Sequence, residues 1–440
     1  MISELERALE LGEFIPYNHS WDFVRSLEDV KHKVDALVKE GQAERAVSLY
    51  EIFLAGCYEK AEEIDDSGGN LGMFFQDLFW AWIKARQKAN YNPAETVQNI
   101  LGWMDNDEYG FCYNIEGDVV KALNKRSVRL FEAAFKARFE EAITTASENK
   151  DKQISDYPRE VRKNVSILKV IYVESKDTDA YLALCEKTGT TPKDCETIAN
   201  IYKVKHKYQD ALSWVEKGLK LEENGKWGNQ SSSGLTGLKQ DLLNKLGRRE
   251  DAFNIAWAEF KRHPSTFRYE TLMKFVDAKN VKLWHEKAIE KAKDKSLSGF
   301  IDICVKTKEW DKLADHICSI DIEELEELSH YTTEKAAKGL TKIHGLAAAK
   351  VYSALGMRIL KKGKSNYYRY ALEHFSKVQQ LYKKAGRDQL WMDLVETVRR
   401  NHYRKYSFIP YFEKIVAGHP LKKPESFKTR VLKRWKKQIS

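Results

Sequence analysis

The sequence predicts an all-α protein, an α-solenoid in which pairs of helices stack along the chain. Three observations lead to this prediction. Apolar residues recur at helical spacing in paired segments, and the clearest pair is repeated 41 residues further along the chain. The sequence contains no strong strand-like alternation of apolar and polar residues. The chain should therefore bury its apolar faces between helices.

The clearest helix pair lies between residues 192 and 219. Ile198 and Tyr202 mark the apolar face of one helix, a short polar break follows, and Ala211 and Val215 mark the face of the next. Ala211 is small at the place where two helix backbones must approach. A recurring two-helix unit cannot bury its apolar face alone, so it stacks on its neighbours. Such a stack favours an extended binding surface over a catalytic cleft.

The other elements follow in chain order. A helix pair is expected at 27–38 and 43–60, and a buried aromatic helix at 71–83. Further helices should begin at Pro93 and at Ser127. Leu243, Ala252 and Ala256 take the matching positions of the repeat, which follows a long loop at 225–237. Looser pairs are expected at 300–317 and 347–378.

Composition fits an ordered helical chain. The 440 residues are 42% hydrophobic, 12% aromatic and 32% charged, with eight prolines. No apolar run approaches the ~18 residues that cross a bilayer. The six cysteines form no close pair and no signal segment precedes them, so we expect reduced, buried thiols and a cytoplasmic protein.

Charge is distributed unevenly along the chain. Residues 1–120 carry a net charge of −13, residues 121–350 carry +6, and residues 351–440 carry +16. This asymmetry concerns partners and self-association more than fold. Together with a polar segment at 147–157, it suggests three parts: an N-terminal helical domain (1–150), helical repeats (151–350) and a basic helical cap (351–440).

The helical signature resembles tetratricopeptide repeats (TPR), whose compact unit has about 34 residues. Several short strings are also similar to an uncharacterised bacterial helical-repeat family. They are Ile15-Pro16-Tyr17, Tyr109-Gly110-Phe111-Cys112, Ser329-His330-Tyr331-Thr332-Thr333 and His402-Tyr403-Arg404-Lys405. In related proteins a similar helical region follows a SWIM-type zinc finger. The C-x-C and C-x-H ligand spacings of that finger are absent here, and the resemblance implies no activity.

Candidate metal and catalytic motifs are each incomplete. Asp105, Asp107 and Glu116 fall at calcium-loop positions, but Tyr109 occupies a position that should supply a further oxygen ligand, and Gly110 fits a positive-φ turn after a helix. His285 and Glu286 begin a zinc-protease pattern that lacks its second histidine. Cys112 fits a packed core thiol better than a nucleophile. We therefore expect no enzyme activity, metal or cofactor.

The string from Ser329 to Thr333 has two interpretations. His330 is a candidate acid or base in a polar site. The simpler alternative is that Thr332 or Thr333 caps the following helix.

The basic C-terminus is the strongest binding candidate. Residues 420–440 carry eight Lys and Arg against one acid, on a pattern in which Phe427, Val431 and Trp435 recur every four residues. Three alternatives remain: the apolar stripe docks as a terminal cap, the cations bind phosphates, or they contact the acidic N-terminal third.

The function that the sequence favours is a non-catalytic intracellular adaptor. It would bind a protein or peptide on the concave face of the helical repeats, where the candidate contacts are Asn200, Lys203, Lys205 and Gln240. The alternative is a nucleic-acid-associated accessory protein. Its candidate contacts are Arg399, Arg400, Arg404, Lys405, Lys428, Arg430, Lys433, Arg434, Lys436 and Lys437.

Overall fold

The computed structural model describes residues 1–10, 12–145, 154–223 and 233–419. Within these ranges the regular structure is helical, and the one β feature is an isolated parallel bridge between Ile15 and Ile64. The all-α prediction is confirmed. Among the described residues, no helix is long and apolar enough to cross a membrane.

The first half of the chain holds twelve of the described helices. They are α1 (Ile2–Leu9), α2 (Tyr17–Lys39), α3 (Ala43–Glu59), α4 (Asn70–Lys88), α5 (Pro93–Asp105), α6 (Glu116–Ala122), α7 (Lys125–Thr145), α8 (Arg159–Ser175), α9 (Thr178–Thr188), α10 (Pro192–Val204), α11 (Tyr208–Glu223) and α12 (Ser233–Lys245).

The second half holds eleven more within the described ranges. They are α13 (Arg249–Arg262), α14 (Thr266–Phe275), α15 (Val281–Lys295), α16 (Leu297–Thr307), α17 (Trp310–Ser319), α18 (Ile322–Glu327), α19 (His330–Leu340), α20 (Gly345–Lys362), α21 (Tyr368–Lys384), α22 (Asp388–His402) and α23 (Ile409–Val416).

The predicted α10–α11 pair forms as expected. Thr191 and Asp194 cap α10 reciprocally, and Pro192 takes the first helical position. Ala211 is fully buried between the two helices. A Cβ at Gly218 would lie 2.8 Å from the Cβ of Cys195, so this glycine lets α10 and α11 approach closely.

The remaining predicted pairs are also present. They are α2 with α3, α16 with α17, and α20 with α21, and both helices of the predicted repeat, α12 and α13, are also formed. Within each half, helices pack mainly on neighbours one to three places along the chain. This is the arrangement of an α-solenoid, in which each helix pair buries the apolar face of the next.

The predicted three-part division stays a prediction beside the compact units that helix packing defines. The chain divides into two units, one covering residues 1–238 and the other beginning at Lys239. Helix α7 packs on α8, so the polar segment near residue 150 does not interrupt packing. Residue 350 lies inside α20, and this helix belongs wholly to the second unit. The core of the first unit reaches from Leu5 to Ile198, and that of the second from Ala256 to Ile415.

Smaller predictions need correction. Helix α7 begins at Lys125 and not at Ser127 as predicted. The Asn124 side chain caps it by accepting a hydrogen bond from the Ser127 N–H at 2.9 Å. Cys318 is exposed, whereas the other five cysteines are buried as predicted. Met73 is 71% exposed, so the aromatic helix α4 is not buried all round. Residues 233–237 of the predicted long loop belong to α12, and residues 224–232 lie outside the described ranges.

Candidate functional site

The second unit contains a cleft of about 610 Å³ between α19, α20 and α21. Many of the charged and aromatic side chains that line it are accessible to solvent. The residues that line it are His330, Glu334, Leu355, Arg358, Ile359, Lys362, Lys364, Tyr367, Tyr370, Glu373, His374 and Lys377. We call this site the α19–α21 cleft.

Helix α19 begins at the first wall of the cleft. The Ser329 side chain accepts a hydrogen bond from the Tyr331 N–H at 3.3 Å and caps the helix. The predicted caps were wrong: Thr332 and Thr333 are buried inside the helix, and their hydroxyls donate to Asp302 and to the Ser329 carbonyl. His330 follows the cap and lines the cleft, and its role as an acid or base stays a prediction.

Helices α20 and α21 form the floor and the second wall. Gly356 lets them approach, because a Cβ there would lie 2.6 Å from the ring of Phe375. Gly363 ends α20 with a φ of 68°, a left-handed conformation that glycine adopts readily. The short turn that follows brings Lys364 and Tyr367 to the rim.

The cleft residues of α21 and its leading turn form a second stripe on that helix. Tyr367, Tyr370, His374 and Lys377 recur at spacings of three and four residues. The apolar stripe on the other side of α21 was predicted from the sequence, whereas this stripe of cleft residues was not. The same spacing links Leu355, Arg358, Ile359 and Lys362 on α20. The spacing of these residues on α20 and α21 is the sequence pattern from which the site could have been predicted.

Cations outnumber unpaired acids in the cleft. Lys338 holds Glu334 at 2.7 Å, and Arg369 donates to Glu373 at 3.1 Å, so both carboxylates are neutralised by helical neighbours. The Glu334–Lys338 hydrogen bond lowers the pKa of Glu334. Lys362 has no ion-pair partner among the described residues, and the same holds for Lys364.

His374 is the most perturbed group of the cleft. Burial, reinforced by Lys377, lowers its pKa to about 4, and Glu334 opposes that shift only partly. Its ring stacks on Tyr352 with a centroid separation of 5.7 Å, and its Nδ1 has no hydrogen-bond partner among the described residues. The imidazole is therefore neutral at pH 7.

A basic, aromatic turn lies beside the cleft. Lys405 Nζ lies 3.8 Å from the position of a Cβ on Gly363 and 5.7 Å from the centre of the Tyr368 ring. Arg404 donates to the Tyr403 hydroxyl at 3.0 Å. Burial, Lys405 and Lys361 together lower the pKa of His402. Positive charge thus continues from the rim of the cleft onto this turn.

The predicted nucleic-acid contacts are only partly brought together. Arg404 and Lys405 join the basic turn, and Arg400 is exposed on α22. Arg399 instead forms a two-pronged ion pair with Glu413 at 2.9 and 2.6 Å. Six predicted contacts lie outside the described residues: Lys428, Arg430, Lys433, Arg434, Lys436 and Lys437.

The predicted protein contacts differ in how accessible their side chains are. Asn200 is exposed but its amide donates to the Glu196 carbonyl at 3.0 Å. Lys205 donates to Thr178 at 2.8 Å, and Lys203 is half-buried. Gln240 is 6% exposed, so its side chain is not available to a partner.

Another polar cluster, in the first unit, serves packing. Asp194 is buried and accepts hydrogen bonds from Lys169, Tyr181 and Thr191, each between 2.7 and 2.9 Å. Burial alone would raise the pKa of Asp194, but Lys169 and Thr191 hold it below its ordinary value. Every carboxylate oxygen is occupied, so nothing remains to act on a ligand.

The incomplete metal motifs are likewise engaged by the protein. Arg138 binds the Asp105 carboxylate at 2.8 and 2.6 Å, and Asp107 accepts from two backbone N–H groups. Gly110 has a φ of 77°, as the turn interpretation required. His285 bridges Tyr269 and Glu309 at 2.7 and 3.0 Å. No group of three His, Cys, Asp or Glu side chains in the described ranges could hold a metal ion.

Comparisons with known proteins identify a family. A model described as a family of unknown function, DUF6880, matches residues 8–410. No curated protein matches the chain.

Two solved structures resemble the chain at 12% identity. One is the structure of Naa15/Naa10 bound to HypK-THB, which has a TM-score of 0.34 and covers 94% of this chain and 67% of that chain. The other is a circular tandem repeat protein, with a TM-score of 0.18, covering 94% and 95%. At these TM-scores neither likeness carries an argument about function.

Proposed function

We propose a function for this chain, which belongs to the DUF6880 family: it is a non-catalytic scaffold that binds a protein or peptide partner in the cytoplasm. The α19–α21 cleft would be the partner site. No metal or cofactor takes part in this proposal. The similarity to helical regions that follow SWIM-type zinc fingers stays a prediction beside it.

One observation carries the proposal. The cleft exposes side chains that helix packing does not use, including Tyr367 at 53% exposure and Tyr370 at 54%. Tyrosine provides a large contact area with little conformational freedom to lose, and a few such anchors give most of the energy of an interface. A cleft of about 610 Å³ is large enough for several side chains of a partner.

The titratable groups of the described residues favour binding over catalysis. The two carboxylates of the cleft are paired, and His374 is buried and neutral. Burial raises the pKa of Cys112, Cys185 and Cys304 to about 12, so these thiols are not nucleophiles near pH 7. We therefore assign no reaction to the site.

A nucleic-acid-associated role is the second candidate. Its support is the basic turn beside the cleft, where Tyr403 is 58% exposed and Tyr406 is 81% exposed next to Arg404 and Lys405. Exposed aromatic rings interleaved with cations suit stacking of single-stranded bases. This role requires a steep salt dependence, about 0.7 log units per log salt for each phosphate neutralised on a single strand.

Affinity capture of the tagged full-length chain from its native cells tests the proposal. Capture is run with and without nuclease, and recovered proteins are quantified by mass spectrometry. The variant Lys362→Glu with Lys364→Glu reverses the rim charge, whereas Lys383→Glu with Lys384→Glu changes the exposed far end of α21. The scaffold proposal expects a nuclease-resistant partner, recovered in stoichiometric amount, that only the rim variant loses.

Two outcomes would contradict the scaffold. Partners that vanish with nuclease, leaving nucleic acid in the untreated sample, would favour the second candidate. A captured chain without any stoichiometric protein would remove the scaffold role itself.

A further inference from the structure

We propose that the α19–α21 cleft recognises an acidic peptide segment of its partner, with an aromatic or aliphatic side chain as anchor. This inference rests on the proposed scaffold function and deepens it. It commits to one kind of occupant, argued from the charge and the floor of the cleft.

Charge is the first argument. Arg358, Lys362, Lys364 and Lys377 line the cleft, whereas Glu334 and Glu373 are each paired with a base outside it. Lys377 lies 4.7 Å from the centre of the Tyr352 ring, which fixes its ammonium group without neutralising it. The site thus presents net positive charge that carboxylates of a partner would complement.

Nearby lysines also act on two histidines, His374 in the cleft and His402 on the basic turn beside it. Burial is the largest cause of each lowered pKa, and nearby lysines add to it: Lys377 at His374, and Lys405 and Lys361 at His402. Glu334 raises the pKa of His374 and only partly offsets the shift. The positive charge that disfavours protonation of His374 would attract a carboxylate that entered the cleft.

The floor is the second argument. Leu355 is 4% exposed and Ile359 is half-buried, so the bottom of the cleft is apolar. Tyr367 and Tyr370 stand at the rim with their ring centroids 6.4 Å apart. An apolar anchor can lie over this floor beside the two rings while flanking carboxylates reach the lysines.

The pattern of charges favours a peptide over a nucleic-acid strand. A strand places a phosphate at every nucleotide and requires cations along its whole path. Here Glu334 and Glu373, each already paired with a base, take two of the lining positions, so the cations of the cleft do not form a continuous path. A peptide can place its carboxylates only where the lysines are.

A random-peptide display library selected on the full-length protein tests the inference. We expect enriched peptides to be net negative and to contain an aromatic or aliphatic residue. A fluorescein-labelled enriched peptide should bind the Lys362→Glu, Lys364→Glu variant roughly tenfold more weakly or worse, since exposed ion pairs each contribute ~0.2–1 kcal/mol and reversal adds repulsion. The Lys383→Glu, Lys384→Glu variant should bind as the wild type does, and circular dichroism checks that both variants fold.

Every other result overturns the inference. Enrichment of neutral or basic peptides, failure to enrich any, or equal binding by both variants would each remove it. A labelled oligo-uridine that displaces the peptide and binds more tightly would assign the site to nucleic acid. If capture still finds a rim-dependent protein partner, the scaffold proposal stands while the acidic ligand fails.

Discussion

Protonation of His374 should destabilise the second unit below pH 6.5. The pKa of this imidazole is about 4 in the folded chain, mainly through burial, against an ordinary value of 6.5. Between these two values the unfolded chain binds a proton that the folded chain does not. The contribution of His374 to stability is therefore complete above pH 6.5 and is lost as the pH falls towards 4.

The size of this effect follows from the two pKa values. One unit of pKa difference corresponds to about 1.4 kcal/mol, so the full loss is roughly 3 kcal/mol at low pH. Between pH 7 and pH 5 the loss is about 2 kcal/mol. The variant His374→Phe keeps a ring against Tyr352 and removes the titrating group, so it should lack this part of the pH dependence.

Native-state hydrogen exchange followed by mass spectrometry measures the effect locally. Opening free energies of α20 and α21 are compared at pH 7 and pH 5, after correction for intrinsic exchange rates. The wild type should lose about 2 kcal/mol more than His374→Phe. The exposed His19→Gln should follow the wild type. An NMR titration that places the pKa of His374 at or above 6 would refute the reasoning.

Three further predictions concern packing, each checked by urea denaturation. Gly218→Val should destabilise the first unit by ~1–3 kcal/mol through overpacking, whereas Gly237→Ala, which has open space, should be neutral or slightly stabilising; equal effects would contradict the close approach. Arg86→Ala should cost ~1.5–3 kcal/mol, because the buried guanidinium donates charge-assisted hydrogen bonds to two half-exposed glutamates at 2.9 and 2.7 Å; a change below ~1 kcal/mol would contradict it. Tyr269→Phe should cost about 1 kcal/mol by removing the hydrogen bond to His285, and an unchanged midpoint would show that the bond adds nothing.

Helix pairs were predictable because their signals are local. Apolar residues three and four apart mark the face that must be buried, and caps such as Asn92 and Thr191 fix where helices begin. Ala211 even indicated where two backbones approach. All these features depend on residues within one helix or its partner, so a linear pattern is sufficient to find them.

The candidate site was only partly predictable. His330 was found from its polar string, and Arg404 and Lys405 from the basic run. Lys362, Lys364 and Tyr370 were missed because a polar face in sequence reads as ordinary solvated surface. Whether it faces open water or a cleft depends on which helices stand beside it.

The sequence by itself determined the all-α class, several of the helix pairs and the charge asymmetry of the chain. Only the tertiary structure decided which polar residues are buried, as with Gln240 at 6% exposure, and which cations remain unpaired. It also decided the units, since α7 packs on α8 across a polar segment and α20 continues through residue 350. The physical reason is range: helical periodicity acts over a few residues, whereas burial, ion pairing and clefts depend on helices brought together from distant parts of the chain.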